Sequence, residues 1–155
     1  MEYEFTLKYR LAADDSDPDD VVERLGAAGC DDALVGIGQP GRIALEFSRQ
    51  AGSAQAAIVS AMMAVKRALP TARLVEVSPD SVGLTDIAEM VGVTRQNMRQ
   101  LSLAHADSFP APFHSGNVVL WHLAHVLQWL VERGTYRIER SLLEVSRVAM
   151  QINLV

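Results

Sequence analysis

Cysteine is nearly absent from this chain: Cys30 is the only thiol in 155 residues. A lone cysteine excludes an internal disulfide and leads us to expect a reducing, cytoplasmic setting. A single thiol of this kind usually acts as a small hydrophobe, so no catalytic role is expected for it. Long apolar runs are missing too. No stretch approaches the roughly 18 residues needed to cross a bilayer, so no membrane partner is expected. The opening Met1-Glu2-Tyr3-Glu4 is acidic and amphipathic, unlike a signal or transit sequence.

The spacings that mark catalytic or metal chemistry are also lacking. There is no HExxH and no CxxC, and His105, His114, His122 and His125 have no carboxylate or cysteine at ligand spacing. His122 and His125, three apart, could share a helix face, but all four are expected as surface or half-buried side chains. No Ser/His/Asp, Cys/His or paired-carboxylate arrangement has a convincing local context. The expectation is therefore no enzyme activity, no metal and no cofactor. Gly36-Ile37-Gly38-Gln39-Pro40-Gly41 suggests a phosphate loop, but it lies between two expected strands and opens no helix, so a tight hairpin is expected instead.

Basic residues are in the minority, 14 against 19 acids, for a net charge of −5. Residues 1–78 hold 8 Lys/Arg and 12 Asp/Glu, five of those acids between Asp14 and Asp20. Residues 79–155 hold 6 and 7, so that half is near neutral. Any polyanion partner of that half would have to be held by a few focused cations rather than by bulk charge.

What is present is strong patterning. Glu2 to Leu11 alternates, with Tyr3, Phe5, Leu7 and Tyr9 on one face of a strand. Ser16 or Asp17 can cap a following helix, with Pro18, Asp19 and Asp20 in its first turn and a stripe of Val21, Val22, Leu25 and Ala28. Ala33–Ile37 and Arg42–Phe47 read as a hairpin, Ser53–Leu69 as an amphipathic helix stopped by Pro70, and Arg73–Val77 as a last strand. This βαββαβ order predicts an α+β fold that begins with a ferredoxin-like plait over residues 1–78. Ser78-Pro79-Asp80-Ser81 reads as a short hinge.

The second half opens on Leu84-Thr85-Asp86-Ile87-Ala88-Glu89-Met90-Val91-Gly92-Val93-Thr94-Arg95-Gln96-Asn97-Met98-Arg99-Gln100-Leu101. Thr85 can cap one helix, Gly92 can make a left-handed turn, and Thr94 can cap a second helix. Ile87, Val91, Met98 and Leu101 would face inward. Arg95, Gln96, Arg99 and Gln100 would face outward, with the donors and acceptors that read base edges. Phe109–Phe113 and Val118–Trp121 read as two short strands around a Ser115-Gly116-Asn117 turn. Trp121–Leu130 then reads as a helix, with Trp121 and Trp129 as core residues.

Residues 84–101 resemble the helix-turn-helix units of bacterial regulators. The run FPAPFHSGNVVLWHLAHVLQWL resembles the winged part of the excisionase and AlpA-like group, relatives of the MerR DNA-binding domain. The resemblance covers about residues 82–133. It implies a mainly helical winged helix-turn-helix domain whose second helix enters the major groove and whose wing touches backbone or minor groove. Arg95, Gln96 and Arg99 are expected nearest the bases, with Asn97, Gln100 and the N–H groups near Thr94 available to phosphates; the resemblance adds His114, Ser115 and Asn117 on the wing. The wing here departs from a basic pattern, having no Arg or Lys at its tip.

Residues 134–155 form a third segment. Ile138, Leu142, Val145, Val148 or Ala149 and Ile152 lie at helical spacing between Tyr136 and Val155. This predicts a C-terminal helix that packs on the first domain or on a second copy. The expected function is a sequence-specific transcriptional regulator that binds double-stranded DNA as a homodimer. The N-terminal plait would serve dimerisation, a protein partner as in an autorepressing antitoxin, or sensing of a small ligand.

Overall fold

The computed structural model describes residues 1–154; Val155, the last residue of the expected C-terminal helix, lies outside them. The fold is α+β, with six helices and antiparallel strand pairing throughout the described residues. Strand β1 (Glu2–Arg10), helix α1 (Pro18–Ala27), strands β2 (Ala33–Gly36) and β3 (Arg42–Gln50), helix α2 (Ala54–Ala68) and strand β4 (Arg73–Ser78) come first. The four strands form one sheet in the order β2-β3-β1-β4.

Period-two alternation explains β1. Tyr3, Phe5, Leu7 and Tyr9 are buried, while Glu2, Glu4, Lys8 and Arg10 are exposed on the other face. Phe5 sits opposite Phe47 with the rings stacked at 5.2 Å, and Leu7 sits opposite Leu45. Asp17, one of the two expected caps, accepts from the Asp19 N–H at 3.1 Å and starts α1 at Pro18. Val21 and Leu25 are buried, but Val22, placed on the same stripe from sequence, is exposed. Ser53 caps α2 through the Ala56 N–H at 3.0 Å. The buried face of α2 is mostly alanine, with Ile58 and Val65, so the helix backbone can lie close to its neighbours.

Cys30 is part of this first core, and burial pushes its thiol pKa up. The thiolate is the reactive species, so both access and ionisation oppose chemistry there. Iodoacetamide at pH 8 is expected to label the folded protein roughly 100-fold more slowly than the urea-unfolded chain, as read by mass spectrometry. Comparable rates would contradict the buried placement.

Strand β5 (Ser81–Val82), helices α3 (Leu84–Val91) and α4 (Arg95–Ala104), strands β6 (His114–Ser115) and β7 (Val119–His122), and helices α5 (Leu123–Arg133) and α6 (Arg140–Asn153) complete the chain. The short strands pair in the order β5-β7-β6. Together with the helices they enclose a second core containing Ile87, Met98, Phe109, Leu127, Trp129 and Leu130.

Three element boundaries expected in this half need correction. The first hairpin strand is not Phe109–Phe113 but His114–Ser115, because Pro110 and Pro112 have no N–H to give a ladder. Trp121 belongs to β7 rather than to the helix after it; its Nε1–H donates to the Pro110 carbonyl at 2.9 Å. The last helix begins at Arg140, not Tyr136, and the half-buried Tyr136 and Ile138 pack on the second core ahead of it.

Helix α6 joins the two cores. Leu143 lies in the second, while Val145 and Ala149 lie in the first. The Tyr3 hydroxyl donates to Glu144 at 3.1 Å, tying β1 to this helix. Of the two packing surfaces expected for the tail, the helix thus uses the first half of its own chain.

The segment expected as a hinge is equally tied down. Asp80 is only 2% exposed, and its carboxylate accepts from His122 Nδ1 at 2.8 Å and from Asn153 Nδ2 at 2.9 Å. The Leu123 N–H donates to the Asp80 carbonyl at 2.8 Å. The side-chain amide of Asn153 also accepts from the Val77 N–H at 2.9 Å and donates to the Val77 carbonyl at 2.7 Å. It therefore pairs with β4 as a further strand would, where the sheet has an edge. His122, read from sequence as having no carboxylate nearby, is given one by the tertiary fold.

Candidate nucleic-acid interface

The α3–α4 pair is built from local signals that cooperate. Helix α3 is capped at Gly83, whose N–H donates to Asp86 at 3.1 Å, rather than at Thr85, which lies inside the helix. It ends at Gly92, where φ is 85°, a left-handed turn that a side chain would strain. The Gly92 and Val93 N–H groups both donate to the Ala88 carbonyl at 2.9 Å, which folds the chain sharply back. Thr94 caps α4 as expected, accepting from the Asn97 N–H at 3.0 Å.

Met98 fixes the rotation of α4. It is fully buried beside Ile87 and Ala88, and Leu101 packs half-buried one turn away. The opposite side of the helix is then turned to solvent: Arg95, Gln96, Asn97, Arg99 and Gln100 are all exposed. Neither Arg95 nor Arg99 has a carboxylate within 4.0 Å among the described residues. Their guanidinium groups are available to an external acceptor. The N-terminal N–H groups of α4 add a partial positive charge at Thr94.

The sequence-predicted residues fall into two sets. Thr94, Arg95, Gln96, Asn97, Arg99 and Gln100 lie together on the cap and the first two turns of α4. His114, Ser115 and Asn117 lie on a separate hairpin. His114 and Ser115 are in β6, opposite Leu120 and Val119, and Asn117 lies in the turn. All nine are exposed. The hairpin tip also exposes Val118, and Phe113 stacks on the His122 ring at 4.4 Å. The hairpin therefore offers polar and apolar contacts but no fixed cation.

Trp121 and Trp129 are buried in the second core, where Phe109 meets both edge-on, so neither is free to stack on a base. No group of three or more metal-ligating side chains occurs among the described residues. No helix among them is long and apolar enough to cross a membrane.

An acidic hollow of about 1030 Å³ lies between the four-stranded sheet and the second half of the chain. Glu2, Glu4, Glu46, Asp86 and Glu139 line it, and none has a basic partner within 4.0 Å among the described residues. Asp32, on the same rim, is held by Arg49 at 2.7 Å, and that hydrogen bond keeps its carboxyl below the usual range.

Searches against protein-family models, curated proteins and solved structures found no match for this chain.

Proposed function

We propose that the chain is a sequence-specific DNA-binding transcriptional regulator that acts as a homodimer. In this reading a ferredoxin-like plait carries a winged helix-turn-helix unit of the excisionase and AlpA-like kind. One observation carries the proposal: Met98 anchors α4 in the core while Arg95, Gln96, Asn97, Arg99 and Gln100 face solvent without carboxylate partners. Those side chains are the ones whose geometry suits guanine, adenine and phosphate acceptors. The sharp turn at Gly92 and the small Ala88 beneath it give the compact entry that such a pair of helices needs. The βαββαβ element order and the β2-β3-β1-β4 sheet support the plait reading.

One such helix reads only a few base pairs, so two copies on half-sites about 34–36 Å apart are the natural arrangement. The direct test is selection from a random duplex pool. We expect enrichment of a pseudo-palindromic motif, and protection of it in a footprint. A pool that stays random through several rounds at ~50 mM salt, where electrostatic binding is strong, would sink the assignment.

A further inference from the structure

The face of the four-stranded sheet turned away from α1 and α2 is divided by charge. Toward one end of its strands stand Glu2, Glu4 and Glu46, which line the acidic hollow. At the other end stand Lys8, Arg10, Arg42 and Arg73. Arg10 is directly opposite Arg42 on β3 and directly opposite Arg73 on β4. Three arginines are thus set side by side across three adjacent strands, and all three line one recess. None of the three has a carboxylate within 4.0 Å among the described residues; only Lys8 has one, Glu76 at 3.2 Å. Like charges directly opposite on a sheet destabilise it, so this row weakens the free protein.

Beside the row lies a recess of about 510 Å³, within the range of about 300–1,000 Å³ typical of small-molecule sites. Gly36 and Ala44, opposite each other in the β2–β3 register, leave its floor low, and Val75 gives it an apolar wall. Gln39, from the turn that joins β2 to β3, also lines it. Arginine forks match phosphate oxygens two at a time, and an apolar floor suits the body of a molecule rather than a bare ion. A contact made only to a DNA backbone would need the cations but not the recess.

We propose that this recess binds a small phosphate-bearing molecule of mononucleotide size. Arg10, Arg42 and Arg73 hold the phosphate, and Gly36, Ala44 and Val75 seat the remainder. The site stands apart from α4 and does not depend on the DNA-binding reading.

The experiment is a thermal-shift and calorimetric titration with ADP and with pyrophosphate. Both should raise Tm saturably by several degrees, ADP at lower concentration, since a ligand of the native state stabilises it. The Arg10→Gln/Arg42→Gln variant should lose the response while its own ligand-free Tm equals or exceeds that of the original chain. The Arg95→Ala/Arg99→Ala variant should keep the response. The proposal is overturned if neither probe gives a saturable shift, or if the Gln variant responds as strongly as the original chain. It is also overturned if small anions fail to bind while that variant loses affinity for a non-specific duplex, which would make the row a DNA-backbone contact.

Discussion

Replacing Asp80 with alanine is expected to cost about 2–5 kcal/mol and to bring the two cores out of step. The carboxylate is almost fully buried and receives hydrogen bonds from His122 and Asn153. Its removal leaves two part-buried donors without this acceptor, and an unmet buried donor costs about 1–3 kcal/mol. Both tryptophans lie in the second core, so their fluorescence reports on that part of the chain. Urea unfolding followed by tryptophan fluorescence and by far-ultraviolet circular dichroism should give coincident midpoints for the original chain. The Asp80→Ala midpoints should fall and then separate. Asp80→Asn should lose far less. Its carbonyl can accept from Asn153, and its amide can donate to His122 in the other ring tautomer. An Asp80→Ala midpoint that stays put would show that the network contributes nothing to the joint.

The second large effect concerns binding. Arg95→Ala with Arg99→Ala removes two side chains that each stand to contribute about 1–3 kcal/mol at a base edge or phosphate. If the two losses add, affinity for the selected duplex should fall roughly 30-fold or more, measured by fluorescence anisotropy. Neither residue packs in a core or pairs with a carboxylate, so Tm should change little. The salt series separates the roles. A flatter dependence on salt marks lost phosphate contacts, whereas a loss confined to the selected sequence marks lost base contacts. Undiminished affinity in the double variant would remove α4 as the reading element.

Local order was legible in the sequence where one period or one residue decides it. Tyr3, Phe5, Leu7 and Tyr9 could only alternate across a strand, and Gly92 with Thr94 could only end one helix and begin another. Met98 among polar neighbours gave the rotation of α4, and with it the exposed side chains. Where two local signals competed, the boundary moved. The apolar run through Trp121 fits a helix or a strand, and the pairing of β7 with both β5 and β6 decided it. Pairings between distant segments were not legible. Asp80 meets His122 and Asn153 across 42 and 73 residues, and nothing near any of them announces it. The arginine row has a similar cause. Arg10 was visibly on the polar face of β1, but its neighbours depend on the registers of two partner strands, one of them shifted by an irregularity near Tyr9.

The acidic hollow beneath α3 has a consequence for kinetics. Its unpaired carboxylates would repel a polyanion over the Debye length, about 8 Å at physiological ionic strength, whereas the exposed arginines of α4 would not. If α4 is the reading element, collisions led by the hollow would be shortened relative to those led by α4, so this flank would bias the encounter by what it rejects. On the DNA-binding reading, a chain with a net charge of −5 would meet its polyanion through the layout of its charges rather than through their sum.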